Sequence, residues 1–108
     1  MKKKNKYNVS KVDTEYGRFD SKKEYNRYLE LLELQKQGTI SNLQRQVKYQ
    51  LLPKNDKYRE LSYIADFVYT DSNNQVHIED VKGLVLPEFK IKQKLFYHIY
   101  HQEIEIYK

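Results

Sequence analysis

The feature that most constrains this chain is a pair of alternating runs, residues 63–70 and 76–82, separated by the turn-forming string DSNNQ at 71–75. β-Branched and aromatic residues at every second position around a cluster of Asp, Ser and Asn read as a β-hairpin. Side chains alternate across a strand. Ile64, Asp66, Val68 and Thr70 are therefore expected on one face of the first run, and Val76, Ile78, Asp80 and Lys82 on one face of the second. With Thr70 paired to Val76, antiparallel register sets Val68 opposite Ile78, Asp66 opposite Asp80 and Ile64 opposite Lys82.

Two carboxylates facing each other at about 5 Å repel by roughly 3 kcal/mol at an effective dielectric near 20. A divalent cation relieves that cost, because Mg²⁺ takes one or two carboxylates together with waters and a substrate phosphate. The D-x-K spacing of Asp80 and Lys82 also puts a carboxylate and an ammonium on one side of the strand, where one holds metal and the other meets a phosphate or an attacking water. Taken alone, D-x-K reads more readily as a surface ion pair, with Asp66 marking a strand end. The apolar face shared with Asp66 favours a site.

The remaining elements follow from local signals. Ser21 to Glu24 fits an S-x-x-E capping box that opens a helix running to Gln37, with Gly38 closing it and Phe19 stapling its entry. Glu24 has two roles open to it, as the third residue of the cap or as a carboxylate facing an active site. Residues 40–52 read as a strand ended by Pro53, with polar groups on both faces, so the pattern does not select the buried one. The polar string KNDKYREL then forms a connection that could lie over a substrate. Pro87 is a good first helical residue for a helix over 88–100 with an apolar stripe of Phe89, Phe96 and Ile99, Leu95 beside it and Lys92 on it. Lys90 and Lys94 make an exposed basic edge, and residues 102–107 close the chain as a strand. The order is helix, three strands, helix, strand: an α/β fold with a mixed sheet flanked by helices.

At 108 residues the chain holds one domain, read as residues 16–108 after a basic, flexible arm over 1–15. Without cysteine it has neither a disulfide framework nor a thiolate metal site. No apolar run reaches membrane-spanning length and no signal-peptide segment follows MKKKNK, so a cytoplasmic protein is expected. Lys and Arg number 20 against 15 acidic residues, a net charge of +5 that suits a polyanionic partner such as DNA.

An acid on the first helix, an acid on the second strand and D-x-K on the third resemble the PD-(D/E)xK nuclease superfamily, whose core is restriction-endonuclease-like. More closely, GRFDSKKE, GTI with LQRQ after it, YIADFVY, and EDVKG followed by F-x-x-K-x-K-L-F are similar to a phage and prophage family of small endonuclease-like proteins, once labelled a domain of unknown function and related to Holliday-junction resolvases. The resemblance implies a Mg²⁺-dependent endonuclease, with Mn²⁺ an alternative ion. Glu24, Asp66, Asp80 and Lys82 would be its catalytic residues. Asp66, Asp80, the Val81 carbonyl and Glu24 would hold the metal, and Lys82 would orient the attacking water. Gln46, Lys90, Lys92 and Lys94 would bind DNA. A resolvase further implies branched DNA as partner and a homodimer with paired sites. Ala65 stands where the superfamily's label has proline. A nicking or restriction-like duplex endonuclease, and a non-catalytic DNA- or partner-binding module on the same fold, are the alternatives.

Overall fold

The computed structural model describes residues 11–108. Its elements are β1 (Val12–Thr14), β2 (Gly17–Phe19), α1 (Lys22–Lys36), β3 (Ile40–Leu52), β4 (Leu61–Asp71), β5 (Val76–Val81), α2 (Pro87–Tyr100) and β6 (Ile104–Tyr107). From α1 onward this is the expected order. The short β1–β2 hairpin corrects the arm drawn to residue 15, because Val12 to Thr14 pair with Phe19 to Gly17. Residues 1–10 of that arm lie outside the described residues.

Local chemistry sets the helix ends. The Ser21 hydroxyl accepts the Glu24 N–H at 3.1 Å, and the Phe19 ring packs 5.1 Å from Tyr25, so cap and staple together start α1. Gly38 follows the helix with φ +82°, a conformation that a Cβ would penalise. Pro87 opens α2 at a position whose N–H has no intrahelical partner to lose.

The main sheet has the order β3-β4-β5-β6, antiparallel except for the β5–β6 pair. Its one parallel pair requires a crossover, which α2 supplies. Two apolar clusters cover its faces. Phe19, Leu31, Ile40, Phe67 and Tyr69 pack on the α1 side; Leu51, Tyr63, Ala65, Val68, Ile78, Phe89, Phe96 and Ile104 pack on the α2 side. Ile99 is 38% exposed, so the stripe expected through it ends at Phe96.

Alternation fails in β3 near Asn42, and in β3 and β4 together at the level of Gln46 and Asp66. Along β4, Tyr63 and Ala65 pack toward α2, Phe67 and Tyr69 toward α1, and Val68 toward α2 again, so the phase slips by one residue at Asp66. In β3, Val47, Tyr49 and Leu51 pack toward α2, whereas Leu43 packs toward α1 and the Arg45 guanidinium lies 3.6 Å over the Phe19 ring. The two strands slip together. Their register is thereby preserved, with Arg45 opposite Phe67 and Val47 opposite Ala65. Gln46, between them, has φ 53°, a left-handed conformation that costs a non-glycine residue about 1–2 kcal/mol. The expectation that Ile64, Asp66, Val68 and Thr70 share one face is thus corrected: Asp66 turns toward α1 at the slip and Val68 toward α2.

The expected hairpin register holds from Thr70↔Val76 through Val68↔Ile78 to Phe67↔Glu79 and then stops. Beyond it the Asp66 side chain, rather than a backbone carbonyl, takes the Val81 N–H at 2.8 Å. Asp66 and Asp80 therefore meet where two strands part, not as a ladder pair.

Candidate active site

Where β4 and β5 part, a cleft of about 540 Å³ opens beside the start of α1. Glu24, Gln46, Asp66, Asp80, Val81 and Lys82 all line it, joined by Asp20 and Lys23. Four elements, α1, β3, β4 and β5, converge there, and the phase slip lets Asp66 face α1 while Val68 faces α2. Glu24 both caps the helix and faces the cleft. Its N–H completes the cap, while its carboxylate, in a residue only 3% exposed, accepts the Gln46 Nε2–H at 3.2 Å.

Asp66 is held at both oxygens: Oδ2 by the Val81 N–H and Oδ1 by Gln46 Nε2 at 3.4 Å. Asp80 is 4% exposed. Its Oδ2 accepts the Tyr63 hydroxyl at 2.6 Å, and its Oδ1 lies 3.5 Å from Lys82 Nζ. The Lys82 ammonium sits 4.5 Å over the Phe89 ring, a cation–π contact that fixes where the charge points.

These carboxylates crowd one another. Burial pushes the Asp66 carboxyl up to about 8, the neighbouring Asp80 and Glu24 charges adding to it and the Val81 N–H opposing. Burial likewise raises Glu24, helped by Asp20 and opposed by the Arg45 charge. Burial, followed by the Asp80 charge, raises Tyr63 and keeps its hydroxyl a donor. Asp20, Glu24 and Asp66 each offer an oxygen within 4.8 Å of the others. An all-oxygen donor set of this kind fits a hard cation such as Mg²⁺ or Mn²⁺.

The basic residues divide. Lys92 is half-buried and lines an adjoining hollow of about 410 Å³ with Asp80, Lys82 and Ser62. Lys90 and Lys94 are not brought to the cleft; they flank a separate groove with Gln93, Tyr97 and Glu103. Glu79 points to the opposite face from Asp80, as alternation requires. There it is bound by Arg27 at 2.6 and 2.9 Å and by the Tyr69 hydroxyl at 2.8 Å. Three residues at the cleft or in the hollow beside it, Asp20, Lys23 and Tyr63, escaped the reading from sequence. Asp20, just before the capping Ser21, had as its only signal the string DSKKE. Tyr63 lies three residues before Asp66, and only folding reveals that it reaches Asp80.

Fold and cleft define a mixed α/β protein with several carboxylates and two lysines gathered where its sheet splits. The chain belongs to the family described as protein of unknown function (DUF1064), which matches residues 4–107. No curated protein and no solved structure matches it. Among the described residues no helix is long and apolar enough to cross a membrane.

Proposed function

We propose that the protein is a divalent-cation-dependent DNA endonuclease of the PD-(D/E)xK type, acting on branched DNA. The observation that carries the reading is the convergence of Glu24, Asp66 and Asp80 with Lys82 in one cleft, where burial and then neighbouring carboxylates raise the Asp66 and Glu24 carboxyls. Asp66, Asp80, Glu24 and the Val81 carbonyl would hold Mg²⁺, which supplies charge neutralisation at the scissile phosphate and a more acidic water. Tyr63 positions Asp80, and Val81 positions Asp66. Lys82, steered by Phe89, stabilises negative charge developing on the phosphoryl oxygens as water attacks phosphorus. The new P–O bond forms as the bond to the 3′ oxygen breaks. That oxygen takes up a proton, leaving 5′-phosphate and 3′-hydroxyl ends.

Lys23 at the cleft and Lys92 in the hollow beside it would bind flanking phosphates, a contribution that falls steeply with salt. Paired cuts across a junction require two such clefts, hence a homodimer. Asp80→Asn tests the assignment. Cleavage should fall below detection while binding to a four-way junction persists; undiminished cleavage removes Asp80 from the chemistry. Light scattering of the protein with and without junction DNA tests the pairing, and a strict monomer in both contradicts resolution by paired cuts.

A further inference from the structure

We infer that Gln46 is a positioning residue whose side-chain amide stands in for the cation in the cation-free protein and must withdraw when the cation enters. The inference rests on the cation reading of the cleft. An amide NH₂ has two hydrogens to give, and Gln46 Nε2 directs them at Glu24 Oε2, 3.2 Å away, and Asp66 Oδ1, 3.4 Å away. The other Asp66 oxygen is committed to the Val81 N–H. The amide thus fills the space between two carboxylates that a cation ligated by both would occupy. Lys82 neutralises Asp80 in the same way from the other side.

The backbone supplies a second, independent observation. Gln46 holds φ 53° in a 13-residue strand whose other left-handed residue is Asn42, between the Arg45↔Phe67 and Val47↔Ala65 pairs and at the level where both strands change phase. Strain of this kind persists where the surroundings impose it, characteristically at ligand clamps and active sites. Here it aims the amide at the two carboxylates. A lysine in this place would stay and repel an incoming cation. A neutral amide on an exposed residue tempers the carboxylate repulsion yet can swing into solvent. Gln46 therefore lowers the intrinsic cation affinity in exchange for a cleft that stays assembled without metal.

The test is Mn²⁺ titrated calorimetrically into the full chain without DNA, comparing wild type, Gln46→Ala and Gln46→Gly, with thermal unfolding in EDTA alongside. Both variants should bind Mn²⁺ about tenfold more tightly, the effect of removing two hydrogen bonds to the Glu24 and Asp66 carboxyl groups that compete with the ion. Gln46→Ala should also melt lower than wild type in EDTA, with the gap narrowing at saturating Mn²⁺. Gln46→Gly accepts φ 53° without strain, so an equal gain in its affinity assigns the effect to the amide rather than to the backbone. Weaker Mn²⁺ binding by the variants would show the amide supporting the ligands, and unchanged binding would show it outside the ion's place. Either overturns the inference and leaves the cation reading standing. No Mn²⁺ binding by any of the three proteins overturns both.

Discussion

Asp66→Asn should stabilise the cation-free protein, and the structure indicates by how much. The folded Asp66 carboxyl lies near 8 against an ordinary value of 3.8. An acid with a raised folded value binds its proton more tightly in the native chain, so stability falls as pH climbs from about 4 to about 8 and levels off above. A difference of that size would be worth roughly 6 kcal/mol if undiminished. The cleft is open to water, which screens the charges, and about 2 kcal/mol is the working figure. Asparagine removes the charge but keeps a carbonyl oxygen for the Val81 N–H, so no buried donor is orphaned. In a domain of this size the gain corresponds to a Tm about 8–16 °C above wild type at pH 8.5. The assay is thermal unfolding by circular dichroism in EDTA from pH 5 to 9. Wild type should lose stability across that range while Asp66→Asn shows a flatter profile. A variant that melts below wild type at pH 8.5, or runs parallel to it, would refute the crowding argument.

Three further outcomes follow from named contacts. Arg27→Met leaves the buried Glu79 carboxylate with only the Tyr69 hydroxyl; the loss should be about 3–5 kcal/mol, and a Tm within a few degrees of wild type contradicts it. Tyr63→Phe removes the 2.6 Å donor that orients Asp80, so calorimetric Mn²⁺ affinity should drop about 10–100-fold with the fold intact, and unaltered affinity would remove Tyr63 from the site. His77 bridges Asp71 and Glu105 at 2.7 Å each, and these bonds, that to Asp71 first, raise its folded value above 6.5. Its stabilisation is present below about 6.5 and is lost as pH rises through the raised value. His77→Phe should therefore shallow the decline in Tm above that pH, and a decline as steep as that of wild type would count against the clamp.

Much of the fold was legible because local and tertiary signals agree. The cap at Ser21, the glycine at 38, Pro87 and the turn end of the hairpin depend on nearby residues, and each appears as expected, the hairpin register only as far as Phe67↔Glu79. The phase slip at Gln46 and Asp66 was not legible. No glycine marks the left-handed position, and polar groups on both faces of β3 hide which way each half of the strand turns. The carboxylate cluster was readable because a charge on an apolar face requires a partner. Strict alternation, however, gave a geometry the fold does not use: a facing ladder pair in place of a meeting across diverging strands. Asp20 joins the cleft, and Tyr63 the hollow beside it, through tertiary placement that no spacing encodes. Lys94 carried a basic pattern but sits on the α2 face turned toward Tyr97 and Glu103.

The central claim is cleavage, and one assay reads it directly: purified protein on a four-way junction, a matched linear duplex and a single strand, in Mg²⁺ or EDTA, beside Lys82→Ala. The account predicts cuts in the junction that require Mg²⁺ and vanish in Lys82→Ala. Equal cutting of linear duplex keeps the nuclease and discards the preference for branched DNA. DNA bound but left whole in both Mg²⁺ and Mn²⁺, or cut as well by Lys82→Ala as by wild type, contradicts the account.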